Sequence, residues 1–92
     1  MTRFVIELYR PNSCVEPLRG VADRLHTSAA ELGGEKAAVR YVGTIFLPGD
    51  ETCLHVLEAP CEADVRAVAE LAAIDVDRVV PAEQIDLGRE ED

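Results

Sequence analysis

The stretch from Val39 to Pro60, VRYVGTIFLPGDETCLHVLEAP, most constrains what this chain can fold into. Two runs rich in Val, Ile, Thr, Tyr and Phe flank Pro48-Gly49-Asp50-Glu51, and such residues suit a pleated, half-buried surface. Gly49-Asp50 reads as a two-residue hairpin loop whose first residue takes φ > 0, a conformation that only glycine adopts cheaply. This tip predicts the pairs Leu47–Thr52, Ile45–Leu54 and Gly43–Val56 on one face. On the other it predicts Phe46–Cys53, Thr44–His55 and Val42–Leu57. The first face is mostly apolar and is expected to be packed. The second mixes a thiol and an imidazole with aromatic and aliphatic groups.

The rest of the chain arranges itself around this hairpin. Residues 3–9, RFVIELY, alternate as a strand, with Phe4, Ile6 and Leu8 facing the core and Val5, Glu7 and Tyr9 facing away. Ser13-x-x-Glu16 has the spacing of a capping box, and Pro17 is tolerated in a first helical turn. Leu18, Val21, Ala22, Leu25, Ala29 and Leu32 keep the helical period up to Gly33-Gly34. After Pro60, Cys61-Glu62-Ala63-Asp64 opens a second helix, with acids near the positive end of its dipole. Val65, Val68, Ala69 and Ala72 supply its buried stripe. Residues 77–82, DRVVPA, form a short last strand that Pro81 suits to a sheet edge.

The order β-α-β-β-α-β, with right-handed crossovers, predicts an α+β ferredoxin-like plait. Its antiparallel sheet runs 4-1-3-2, and both helices lie on one face. Residues 1–85 make the single domain, and 86–92 an acidic tail. The sheet face carrying Val5, Glu7, Tyr9, Val42, Thr44, Phe46, Cys53, His55 and Leu57 is expected to lack helical cover and to meet a second subunit or a ligand.

Composition narrows the partners. The net charge is −9, with eight arginines and one lysine, which opposes nucleic acid and anionic membranes alike. No apolar run approaches the ~18 residues of a membrane span. With 48% hydrophobic residues but only four aromatics, the core is expected to be aliphatic. Three cysteines, an odd number, and an N-terminus interrupted at Glu7 point to reduced thiols in the cytoplasm.

Thr52-Cys53-Leu54, Glu58-Ala59-Pro60, Val65 and Asp77-Arg78-Val79-Val80 resemble a family of small bacterial ferredoxin-like domains, largely without assigned function, that includes a nickel-binding homodimer. Phe4-Val5-Ile6-Glu7 and Tyr41-Val42 extend the resemblance. It implies the plait and a dimer, and nickel less directly. Members often carry a histidine in the second helix, where this chain has Arg66-Ala67-Val68-Ala69-Glu70. They also tend to carry Gly-x-Pro after it, where this chain has Ala73-Ile74-Asp75.

The chemistry-bearing residues are few. Cys53 and His55, one residue apart on a strand, share a face and supply donors that suit Ni, Zn or Cu, with Glu7 or Tyr9 as oxygen ligands from the next strand. The plainer and preferred reading makes Cys53 a small buried hydrophobe and His55 a hydrogen-bonded interface residue. Cys14 and Cys61 stand near helix starts beside acids that oppose thiolate formation. His26 is read as a solvated surface residue, and Glu58 as helix-facing, bonding amides of the second helix. Glu7 is expected either to act as a base with His55 or to pair with an arginine such as Arg40 across a dimer. There is no phosphate loop, nucleophile elbow, HExxH or paired CxxC.

These observations favour a small cytoplasmic homodimeric binding module for a small ligand or a transition metal. Its ligand-binding residues are Val5, Glu7, Tyr9, Val42, Thr44, Phe46 and His55, and its metal ligands Cys53 and His55. The alternative is a cofactor-independent enzyme of the dimeric ferredoxin-like type (monooxygenase, isomerase or cyclase), with Glu7, Tyr9 and His55 transferring protons. A third reading is a structural or regulatory partner of a larger protein.

Overall fold

The alternating and helical periods resolve into six elements in the computed structural model, which describes residues 2–11, 15–33, 39–83 and 85. They are β1 (Thr2–Tyr9), α1 (Val15–Gly33), β2 (Arg40–Leu47), β3 (Thr52–Ala59), α2 (Glu62–Leu71) and β4 (Arg78–Ala82). The four strands form one antiparallel sheet in the order β2-β3-β1-β4, which is the predicted order read from its other edge. Two helices over a four-stranded antiparallel sheet of this order are consistent with the α+β ferredoxin-like class. Pro81 lies in β4, an edge strand, the place in a sheet that tolerates a residue with no N–H to donate.

Phe4, Ile6 and Leu8 of β1 join Leu18, Leu25 and Ala29 of α1 and Val65, Val68 and Ala69 of α2 in one core cluster. Both apolar helix stripes therefore face the sheet as their spacing predicts, with Val21, Ala22 and Leu32 of α1 only partly buried. The capping box at Ser13, Cys14, Gly34 and the tail at 86–92 lie outside the described residues.

The hairpin carries three corrections. Pro48 to Glu51 form a four-residue turn, with Asp50 N–H donating to the Leu47 carbonyl and Glu51 N–H to that of Pro48. The left-handed residue is Glu51, at φ 52°, and not Gly49. The predicted pairing holds from Leu47–Thr52 to Gly43–Val56, but a β-bulge then sets Tyr41 opposite Leu57, leaving Val42 unpaired.

The third correction concerns the faces. Cys53, His55, Leu57 and Ala59 are the buried side of β3, because they register with Leu8, Ile6, Phe4 and Thr2 of β1 beneath the helices. Thr44 and Phe46 follow them to the helix side, and Tyr41 and Phe46 pack on the core. The face without helices instead carries Val5, Glu7 and Tyr9 together with Ile45, Leu47, Leu54 and Val56. Both sides of β3 are aliphatic, so its alternation alone could not choose between them.

Glu58 consequently sits on the open face and not against α2. Arg3 donates to it at 2.9 Å and Arg40 at 3.0 Å. Those hydrogen bonds, from Arg3 first and then Arg40, hold the Glu58 carboxyl below the usual carboxylate range. Glu7 pairs with Arg78 of β4 at 3.4 Å, within the subunit.

Candidate functional site

β3, one of the two central strands, brings the chemistry together, and burial forces its polar residues to find partners. His55 and Cys53 are completely shielded from solvent. One residue apart, they place Cys53 Sγ 3.5 Å from His55 Nε2. The other ring nitrogen, Nδ1, lies 2.7 Å from Thr44 Oγ1 of the cross-strand partner. Thr44 Oγ1 in turn shares a short hydrogen bond with the Tyr41 hydroxyl. The result is a polar relay, Cys53–His55–Thr44–Tyr41, running from the core towards the edge strand. No buried side-chain nitrogen or oxygen among the described residues lacks a partner.

Within the relay, His55 and Cys53 are both biased towards their uncharged forms. Burial, helped by the positive charge of Arg10, pushes His55 down from 6.5 to about 4. Burial likewise pushes the Cys53 thiol up, against the opposing charge of Arg10. An uncharged imidazole donates at one nitrogen and accepts at the other, so its tautomer sets the direction of every bond in the relay.

At its outer end the relay reaches a cleft between α1 and β2. This cleft holds about 280 Å³ and is lined by Leu18, Arg19, Ala22, Tyr41, Thr44 and Phe46. Leu18, Ala22 and Phe46 make apolar walls, while Tyr41 and Thr44 bring hydroxyls. Arg19 stands at the rim, its side chain 71% exposed and 3.9 Å from Glu16. Tyr41 also borders a smaller cavity of about 150 Å³ with His26, Ala29 and Val39. The exposed His26 ring tilts against Tyr41 with centroids 5.8 Å apart. A larger hollow of about 520 Å³ opens near the end of α2, bordered by Arg10, Arg24, Glu70 and Asp75. There the Arg24 Nε–H already donates to the Ala72 carbonyl, and charges of both signs face water. The α1–β2 cleft is the better candidate because its hydroxyls converge and connect to a buried titratable pair.

The fold has a solved counterpart. SCO4226 of Streptomyces coelicolor A3(2) is similar over 91% of this chain and 99% of its own, with a TM-score of 0.67 and 14% identity. A likeness at that identity carries the architecture, and neither a ligand nor a metal comes with it. No family model and no curated protein matches the chain.

The sequence-predicted site residues divide between two places. Thr44, Phe46, His55 and Cys53 come together beneath α1, whereas Val5, Glu7 and Tyr9 lie across the sheet on the open face. Val42 is exposed at the bulge. The thickness of the sheet thus separates Glu7 and Tyr9 from His55, and the three do not converge for proton transfer. Tyr9 instead hydrogen-bonds Glu51 and is 56% exposed.

The metal reading can be tested on the donors. Cys53 and His55 hydrogen-bond each other, His55 Nδ1 is taken by Thr44, and Glu7 and Tyr9 are on the wrong side. No group of three or more metal-ligating side chains occurs among the described residues. A structural transition-metal site ordinarily uses four donors. This arrangement does not fit one.

Sequence reasoning missed Tyr41, Leu18, Arg19 and Ala22 as cleft residues. Tyr41 and Thr44 are three apart, a spacing that divides a regular strand's residues between faces, and the one signal of the bulge is Gly43, a glycine inside a strand pattern.

Proposed function

We propose that this chain is a homodimeric binding module whose α1–β2 cleft holds a small ligand. The observation that carries the reading is the buried relay surfacing at Tyr41 and Thr44 in a cleft with apolar walls. Sites of that make-up, mostly apolar with a few placed polar groups, are what small-molecule pockets share.

The dimer half rests on the open face. Tyr9, Ile45 and Leu47 are 56%, 53% and 38% exposed there, alongside half-buried Val5, Leu54, Val56 and Val80. Its charged groups are three arginines (Arg3, Arg40, Arg78) and two glutamates (Glu7, Glu58), joined in intrasubunit ion pairs. The chain's net charge of −9 therefore lies elsewhere, and two copies meeting here bring together near-neutral surfaces. Strands ~4.8 Å apart and ~3.3 Å per residue make a four-stranded face of roughly 450 Å². Two such faces remove about 900 Å² flat-on, and more as side chains interdigitate, near the lower bound for a specific interface.

Titration with phenol, followed by NMR, tests the cleft. Shifts should concentrate at Leu18, Ala22, Thr44 and Phe46. Shifts confined to Ile45, Leu54 and Val56 would move the site to the open face and overturn the cleft reading.

A further inference from the structure

The relay restricts what the cleft would hold, an inference that rests on the cleft reading above. Two proton orders satisfy every nitrogen and oxygen in it. In the first, Cys53 S–H donates to His55 Nε2, Nδ1–H donates to Thr44, and Thr44 O–H donates to Tyr41. The Tyr41 O–H is then free to donate outward. In the second, Tyr41 O–H donates to Thr44, Thr44 O–H donates to Nδ1, and Nε2–H donates to the Cys53 sulfur. Tyr41 then offers only a lone pair. The two orders differ by a change of His55 tautomer and hydroxyl rotations, with no net charge created in the core.

The surroundings argue against a charged ligand. Arg19, the one cationic side chain lining the cleft among the described residues, is mostly in water beside Glu16, and the chain's charge of −9 repels anions at longer range. A cation would meet no carboxylate among the described lining residues. At about 280 Å³ the cleft lies at the small end of ligand sites.

We infer that the α1–β2 cleft takes a small, neutral, largely apolar molecule of single-ring size bearing one hydroxyl or carbonyl oxygen. The Tyr41–Thr44–His55–Cys53 relay reads this oxygen in either hydrogen-bonding sense. A hydroxyl that donates to Tyr41 selects the Nε2–H tautomer of His55, and a carbonyl that accepts from it selects Nδ1–H. Thr44 and His55 are positioning residues in this scheme, and Tyr41 makes the contact.

Four probes of similar size separate the possibilities: phenol, cyclohexanone, toluene and benzoate, each titrated into the full chain labelled for methyl and histidine ¹⁵N NMR. Phenol and cyclohexanone should bind in the cleft at least tenfold more tightly than toluene or benzoate. The His55 ¹⁵N shifts should report opposite tautomers with the two favoured probes. Tyr41→Phe should reduce the preference over toluene to about threefold or less while toluene affinity stays within twofold. Toluene binding as tightly as phenol, or benzoate binding tightest, would overturn the ligand class and leave the cleft as a site. The same His55 tautomer with both favoured probes would overturn the two-way reading. If none of the four perturbs Leu18, Ala22 or Phe46, the cleft reading itself fails.

Discussion

His55 couples the core to pH because its fully buried imidazole resists protonation. Its folded value, about 4, lies below its ordinary 6.5, so between those limits the unfolded chain binds the proton more readily. Stability attributable to His55 is therefore complete above pH 6.5 and is lost as pH falls towards 4. At about 1.4 kcal/mol per pH unit this loss is on the order of 3 kcal/mol. Glu58 acts in the same direction, since protonation releases its two arginines. Urea unfolding of wild type and His55→Leu across pH 4–7 checks this: the variant should lose most of the slope in the upper part of the window. Equal slopes would mean that His55 is not the titrating group. Thr44→Val, nearly the same shape, strips His55 Nδ1 of its partner. We expect a loss of about 1–3 kcal/mol at pH 7, the cost of an unsatisfied buried polar group.

Among the elements, the end of α2 holds an avoidable strain. Ala73 sits at φ 60°, where the Ile74 amide donates back to the Ala69 carbonyl at 3.0 Å and the Ala73 amide to that of Glu70. This is the helix stop that glycine usually occupies. An alanine there costs ~1–2 kcal/mol, against ~0.5–1 for the extra freedom that glycine has when unfolded. Ala73→Gly should therefore stabilise by about 1 kcal/mol at most, visible as a melting point raised by about 4 °C. A lowered melting point would show that another contact governs the site. The position is where the resembling family tends to carry Gly-x-Pro, so this departure was legible in the sequence although its conformation was not. Most of the fold was legible too. The helix stripes and the β1 alternation each have one apolar side, and a one-sided pattern leaves a single solution. The hairpin did not, because Leu54 and Val56 on one side are as apolar as Leu57 and Ala59 on the other. Register was recovered there only from Leu47 to Gly43, while orientation was inverted. The candidate site suffered most, since Cys53 and His55 were correctly paired but set among residues of the opposite face.

At the scale of the molecule, the two faces give opposite expectations for the same kind of substitution. Ile45→Asp places a charge on the exposed open face and should yield a folded monomer, seen by light scattering with unchanged circular dichroism. Phe46→Asp, one residue on, puts the charge against the core and should unfold the chain instead. A wild-type monomer at tens of micromolar would remove the dimer, and a dimeric Ile45→Asp would place the contact elsewhere. Cysteine chemistry offers an independent check, because Cys61 is exposed and Cys53 is not. In the folded protein Cys61 should be alkylated at least a hundredfold faster than Cys53. The unpaired Val42 makes β2 unusually sensitive to counting. On an uninterrupted strand, even separations unite residues on one side and odd separations divide them. A single surplus residue reverses that parity for everything before it, which is how Tyr41 and Thr44 meet. Drawing Val42 into the ladder opposite Leu57 would therefore do more than straighten a strand. It would turn Tyr41 over to the side where the copies are proposed to meet, and carry Arg40 away from Glu58. Deleting the codon for Val42 should instead be tolerated, because Tyr41, then two residues from Thr44, stays opposite Leu57 and Arg40 opposite Glu58, a frame rule written in side chains rather than in bases.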